Sequence, residues 1–112
     1  MYKRISLFVL LILLLSACNE PIGGKNFFNK VEVLEQEISN DNWKNSQQYL
    51  EELHRYFEKN LWKLQLFGDE NEYEGIQESM NRLFVTIQEE DRTQALIDLV
   101  TIKAHIEEIY SF

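Results

Sequence analysis

From Phe27 onward, apolar side chains recur every three or four residues, the spacing that lines one face of an α-helix. Phe27, Val31, Leu34 and Ile38 predict a first helix over residues 26–40. Trp43, Leu50, Leu53, Phe57, Leu61 and Leu64 share one stripe of a second, over 42–67. Tyr73, Ile76, Met80, Leu83, Phe84 and Ile87 predict a third over 70–89, and Ala95, Leu99, Ile102, Ile106 and Ile109 a fourth over 91–110. The polar clusters Ser39-Asn40-Asp41-Asn42 and Glu89-Glu90-Asp91 supply capping side chains between them, and Gly68-Asp69 a stop followed by a start. The expected fold is therefore all-α: four amphipathic helices as two antiparallel helical hairpins, packed as a bundle or a short helical-repeat array.

A shift of 49 residues lays the second half of this pattern on the first. Phe27, Val31, Leu34, Ile38, Leu50, Leu53 and Phe57 fall on Ile76, Met80, Leu83, Ile87, Leu99, Ile102 and Ile106, and Asn42 meets Asp91 at the bend. The match predicts one helical hairpin written twice.

Two apolar faces exceed what such a design needs. Trp62 and Leu66 project opposite the main stripe of the second helix, and Leu96, Val100 and Ala104 form a second stripe on the fourth. The simpler account is that these helices touch two neighbours each and bury both faces. The alternative is an exposed patch that docks a partner or a second copy of the chain.

The first residues follow a different rule. Met1-Tyr2-Lys3-Arg4 is a basic start, and residues 5–15 are apolar apart from Ser6. That run is short of the ~20 residues a bilayer-spanning helix needs and fits the core of a secretion signal. Leu15-Ser16-Ala17-Cys18 follows and resembles the bacterial lipobox. That resemblance implies cleavage between Ala17 and Cys18, with a diacylglyceryl group on the Cys18 sulfur. The expected organisation is a signal peptide over 1–17, a lipidated Cys and flexible tether over 18–26, and a helical domain over 27–112. Localisation would be the extracytoplasmic side of the cell membrane, with the bilayer itself the first partner. Cys18 is the only cysteine, so no intrachain disulfide can form.

Charge narrows the partners further. The chain of 112 residues carries a formal charge of −8, and loss of Lys3 and Arg4 with the signal makes the remainder more acidic still. Such a surface repels phosphate backbones, which argues against nucleic acid, and it disfavours a domain lying flat on anionic lipid.

Candidate chemistry is sparse. The acidic turn Asp69-Glu70-Asn71-Glu72-Tyr73-Glu74-Gly75 offers Asp69, Glu70, Glu72 and Glu74 as metal ligands. As a calcium loop it fails, since Tyr73 stands at position five, the required Gly is displaced to Gly75, and Met80 occupies position twelve. Acids at a helix start also need no ligand, because the helix dipole favours them. His54 with Glu58 and His105 with Glu108 share helix faces and read as surface pairs, each short of a metal site. Tyr49 and Tyr56, two turns apart, line a core edge or a small aromatic groove. Glu51-Glu52 and Glu107-Glu108 diverge around their helices and form no acid–base pair. No phosphate loop or nucleophile elbow is present, so neither an enzyme nor a cofactor is expected.

Taken together, Trp43, Leu50, Leu53, Trp62 and Leu66-Phe67, the acidic turn, then Ile76, Ser79, Leu83, Ile87, Ala95-Leu96, Leu99, Ile102-Lys103 and Ile106-Glu107-Glu108-Ile109 resemble the bacterial domain-of-unknown-function family 4363. The resemblance covers nearly the whole chain, including its lipoprotein-like start. It implies the helical fold, the extracytoplasmic location and a membrane protein as partner, and it brings no established activity. Relatives tend to carry a His in the acidic turn and another near the C-terminus, where this chain has Glu70 and Glu108. The leading expectation is a non-catalytic protein-interaction module whose partner surface includes Trp62, Leu66, Leu96 and Val100. The alternative is a receptor for a cation or small ligand at the acidic turn 69–74.

Overall fold

The computed structural model describes residues 24–67 and 70–110, and every described element is helical. These elements are α1 (Gly24–Ser39), α2 (Trp43–Lys59), α3 (Leu61–Phe67), α4 (Glu70–Gln88) and α5 (Arg92–Ile109). The signal segment, Ala17 and Cys18 lie outside the described residues. The protein is all-α in its described part, as the periodicity predicts.

Two boundaries differ from expectation. Gly24 and Lys25, read above as tether, join Asn26 in the first turn of α1. Phe27 is fully buried, and fixing it in a helix requires carbonyls one turn earlier to accept the N–H groups that follow. The second difference is a break at Asn60, which divides the predicted helix 42–67 into α2 and α3. Asn60 has left α-helical geometry (φ −102°, ψ 7°), and its side-chain Nδ2 donates to the Tyr56 carbonyl at 2.8 Å. An amide side chain that competes for backbone groups in this way interrupts the ladder. Its own carbonyl accepts from Lys63 and Leu64 at 3.0 and 3.1 Å, which starts α3 at once.

The bends between α1 and α2 and between α4 and α5 are built alike. Asp41 (φ 58°) and Glu90 (φ 57°) both take the left-handed conformation that ends a helix. At the first bend Asp41 N–H donates to the Ile38 carbonyl and Asn42 N–H to that of Glu37. At the second, Glu90 donates to Ile87 and Asp91 to Thr86, the same two bonds displaced by 49 residues. Each pair satisfies carbonyls that the helix end would leave open.

The core follows the stripes. All fourteen side chains paired by the 49-residue shift are at most 2% exposed, joined by Leu64, Ala95 and Ile109. Trp43, Leu61, Tyr73 and Phe84, on the same stripes, are partly buried against them. α1 lies against α2 and α5, and α4 lies against α5 and α2, so the four longer helices close a ring around one core. α3 packs on α2 and α4 at one end. Among the described residues no helix is long and apolar enough to cross a membrane.

Candidate functional site

α5 presents apolar side chains to both core and solvent. Ala95, Leu99, Ile102, Ile106 and Ile109 are buried, while Ile97 (52% exposed) and Val100 (60%) face outward with exposed Ala104. Leu96, expected in that outer row, is half-buried and packs on the core edge, and Ile97 takes its place. Residues 97, 100 and 104 fall within two turns on one side of the helix, so they form a continuous row. On α3, Trp62 and Leu66 are 59% and 70% exposed. Burial of both faces, the simpler account of these positions, therefore does not hold for Trp62, Leu66 or Val100.

The acidic turn gathers less than its composition suggests. Asp69 lies outside the described residues, and Glu70 and Glu74 are exposed on the first turns of α4. Glu72 turns inward, where its Oε2 lies 2.8 Å from Nδ1 of His105 on α5. His105 thus pairs across two helices, with a partner that spacing along one helix does not reveal. Gly75 makes the crossing feasible: a Cβ at this position would stand 2.5 Å from Cε1 and Nε2 of the imidazole. His54 does pair with Glu58 at 3.3 Å, and its ring meets Phe84 edge-on at 5.7 Å between centroids. Among the described residues no three His, Cys, Asp or Glu side chains are placed to share a metal ion.

One charged group escaped the sequence reading altogether. Asp98 is 1% exposed, buried between α4 and α5. Its Oδ2 accepts from Thr86 Oγ1 at 3.2 Å and its Oδ1 from Gln94 Nε2 at 3.0 Å, with Arg82 Nε 3.7 Å away. A hollow of about 420 Å³ opens beside it, lined by Glu78, Asn81, Arg82, Val85, Thr86 and Gln94. The signal was available: position 98 lies between Ala95 and Ile102 on the apolar stripe, where an acid is out of place. In the first half a smaller hollow of about 170 Å³ is lined by Asn29, Lys30, Val33, Tyr49 and Glu52. Tyr56 is taken up by Phe27, ring to ring at 4.7 Å, and by Lys30, whose Nζ sits 5.3 Å from the ring centroid. Burial first, and then the proximity of Tyr56, push the Tyr110 phenol up to about 12.

The model of the family described as Domain of unknown function (DUF4363) matches residues 24–111. The chain belongs to this family. The matched span runs from the first residue of α1 past the end of α5, so the DUF4363 region and the helical ring coincide. Comparison with curated proteins and with solved structures finds no match. Within the DUF4363 region, the residues that carried the resemblance divide into two groups. Leu50, Leu53, Ile76, Ser79, Leu83, Ile87, Ala95, Leu99, Ile102, Ile106 and Ile109 are buried, with Trp43 and Leu96 partly buried against the core, whereas Trp62 and Leu66 are exposed.

Proposed function

We propose that the chain is a lipoprotein held on the outer side of the cytoplasmic membrane by acylated Cys18, with a helical domain that acts as a non-catalytic protein-interaction module. The observation that carries the reading is the double-sided α5, whose outer row Ile97, Val100 and Ala104 stands in solvent. A helix that covers a core ordinarily turns polar side chains outward, and a continuous exposed apolar row marks a contact surface. The partner this surface fits is a membrane or envelope protein, reached without release from the bilayer.

The domain itself reads as two antiparallel hairpins, α1 with α2 and α3, and α4 with α5. The contacts of Phe27 with Tyr56 and of Glu72 with His105 support this, because each joins the start of one helix to the end of the next. The non-catalytic part rests on how the best-placed ionisable groups are used. Asp98 is engaged by Thr86 across the α4–α5 contact and by Gln94 on its own helix, and His105 by Glu72 across the same α4–α5 contact. The anchor rests on the basic start, the eleven-residue apolar run and Leu15-Ser16-Ala17-Cys18. Two or more acyl chains suffice to hold a protein stably on a membrane, at roughly 0.8 kcal/mol per buried methylene.

A photo-crosslinking residue at Val100, in the lipidated chain in its native membranes, tests the module. A discrete adduct with a membrane protein is expected, absent when the same group replaces exposed Gln48 on α2. Equal, diffuse labelling at both positions overturns the reading, and an adduct with the chain itself replaces the partner by a second copy. Mass spectrometry of the purified N-terminus tests the anchor separately. Persistence of residues 1–17 without added lipid mass removes it.

A further inference from the structure

α3 departs from the rest of the chain in charge and in exposure. The stretch Lys59-Asn60-Leu61-Trp62-Lys63-Leu64-Gln65-Leu66-Phe67 holds two lysines, a tryptophan and no acid, in a chain with nineteen acids and eleven basic residues. Leu64 is buried and pins the segment to the core, while Trp62 and Leu66, one turn apart, point to solvent. The ammonium of Lys63 lies 5.4 Å from the Trp62 ring centroid, so a positive charge stands beside the exposed indole.

The position of α3 matters as much as its composition. Phe27, three residues after α1 begins, packs on Tyr56, four residues before the Asn60 break. The start of α1 and the start of α3 are therefore at the same end of the ring. Five residues separate Cys18 from Gly24, and that length of chain reaches at most roughly 20 Å. The twin bends, at Asp41 and Glu90, lie at the other end, tied to each other by Arg92 and Asp41 at 3.4 Å.

We infer that α3 is a membrane-contact element: Trp62 and Leu66 enter the headgroup–acyl boundary, and Lys59 and Lys63 meet anionic lipid phosphates. The inference rests on the anchor reading, which brings this end of the domain to the bilayer. Indole rings favour the interfacial region, and lysines near a surface are drawn to anionic headgroups. Glu70 and Glu74 on α4 and Glu107 and Glu108 on α5 stand at the same end of the ring, so the lipid contact is confined to the acid-free segment 59–67 itself. A domain set on its α3 end also holds the outer row of α5 upright, available to a protein.

The test uses the full lipidated chain in vesicles of phosphatidylglycerol and phosphatidylcholine, the latter brominated on its acyl chains. Trp43→Phe leaves Trp62 as the sole indole, and Trp62→Phe leaves Trp43, which lies next to the bend at the opposite end. In the first protein the emission shifts to shorter wavelength and is strongly quenched by bromine; in the second it is not. Equal quenching of the two, in protein whose lipid mass on Cys18 is verified, overturns the proposal. Cys18→Ser separates the two readings. If mass spectrometry finds no lipid on the wild-type chain yet Trp62 is quenched, the membrane contact stands and the anchor falls.

Discussion

At the bend between α1 and α2 the Asn42 side chain turns back and donates to Glu37 at 2.8 Å, leaving the start of α2 without a side-chain cap. At the bend between α4 and α5 the Asp91 carboxylate turns forward and accepts from the Gln94 N–H at 3.2 Å. The backbone of the two bends is the same, bond for bond, and the fourteen matched core positions are equally buried. What differs lies at the margins. Tyr49 in the first half corresponds to buried Asp98 in the second, and Tyr56, packed on Phe27, corresponds to His105, packed on Glu72. Backbone geometry and apolar volume are thus common to both halves, while the polar inlay between the helices is free to differ. Ring contacts fasten the first half where hydrogen bonds fasten the second.

The comparison breaks most readily at the core. Leu34→Ala and Leu83→Ala occupy matched, fully buried sites, and each should lower stability by about 2–5 kcal/mol in urea unfolding. The two losses should appear in a single shared transition. Two separate transitions, with only one moved by each substitution, would show that the halves unfold independently and that the common core is a misdescription. Next in size is Asp98→Ala, which strips an acceptor from Thr86 and Gln94 and should cost about 1–3 kcal/mol. Tyr49→Phe, at the matched position, should cost less; equal costs would mean that the polar inlay contributes nothing particular to the second half.

The caps give a smaller contrast. Asp91→Ala should cost about 1 kcal/mol, the ordinary value of a lost N-cap, and Asn42→Ala clearly less. A reversed order in thermal unfolding would contradict the assignment of Asp91 alone as a side-chain cap. Smallest is a gain. Glu90→Gly should raise stability by a few tenths to about 1 kcal/mol, because glycine adopts the left-handed conformation without the cost a side chain incurs. Asp41→Gly should gain less, since aspartate tolerates this geometry better and Asp41 also meets Arg92.

Periodicity made the core legible in advance because burial of one helix face depends on spacing alone. The stripe from Phe27 to Ile38 and the stripe from Ala95 to Ile109 are buried at every position the spacing marks. The break at Asn60 was hidden for the same reason: Leu61 and Leu64 continue the stripe across it, and apolar spacing is blind to an amide that bonds its own backbone. The partner of His105 was unreadable from one helix, since Glu72 lies 33 residues away and depends on how two helices meet. Asp98 was readable in principle, being an acid on an apolar stripe, but its neighbours Thr86 and Arg82 come from another helix. Spacing alone puts the exposed edge of the second α5 stripe one residue off, because Leu96 leans on the core edge and Ile97 does not.

Gly75 has a reach well beyond its size. Glycine in a helix interior ordinarily loosens it, yet here the vacant space receives the imidazole that clasps Glu72. A single added methyl would displace that ring and loosen its hold on Glu72 at the end where α3 sits. The firmness of that end is secured by atoms the protein does without.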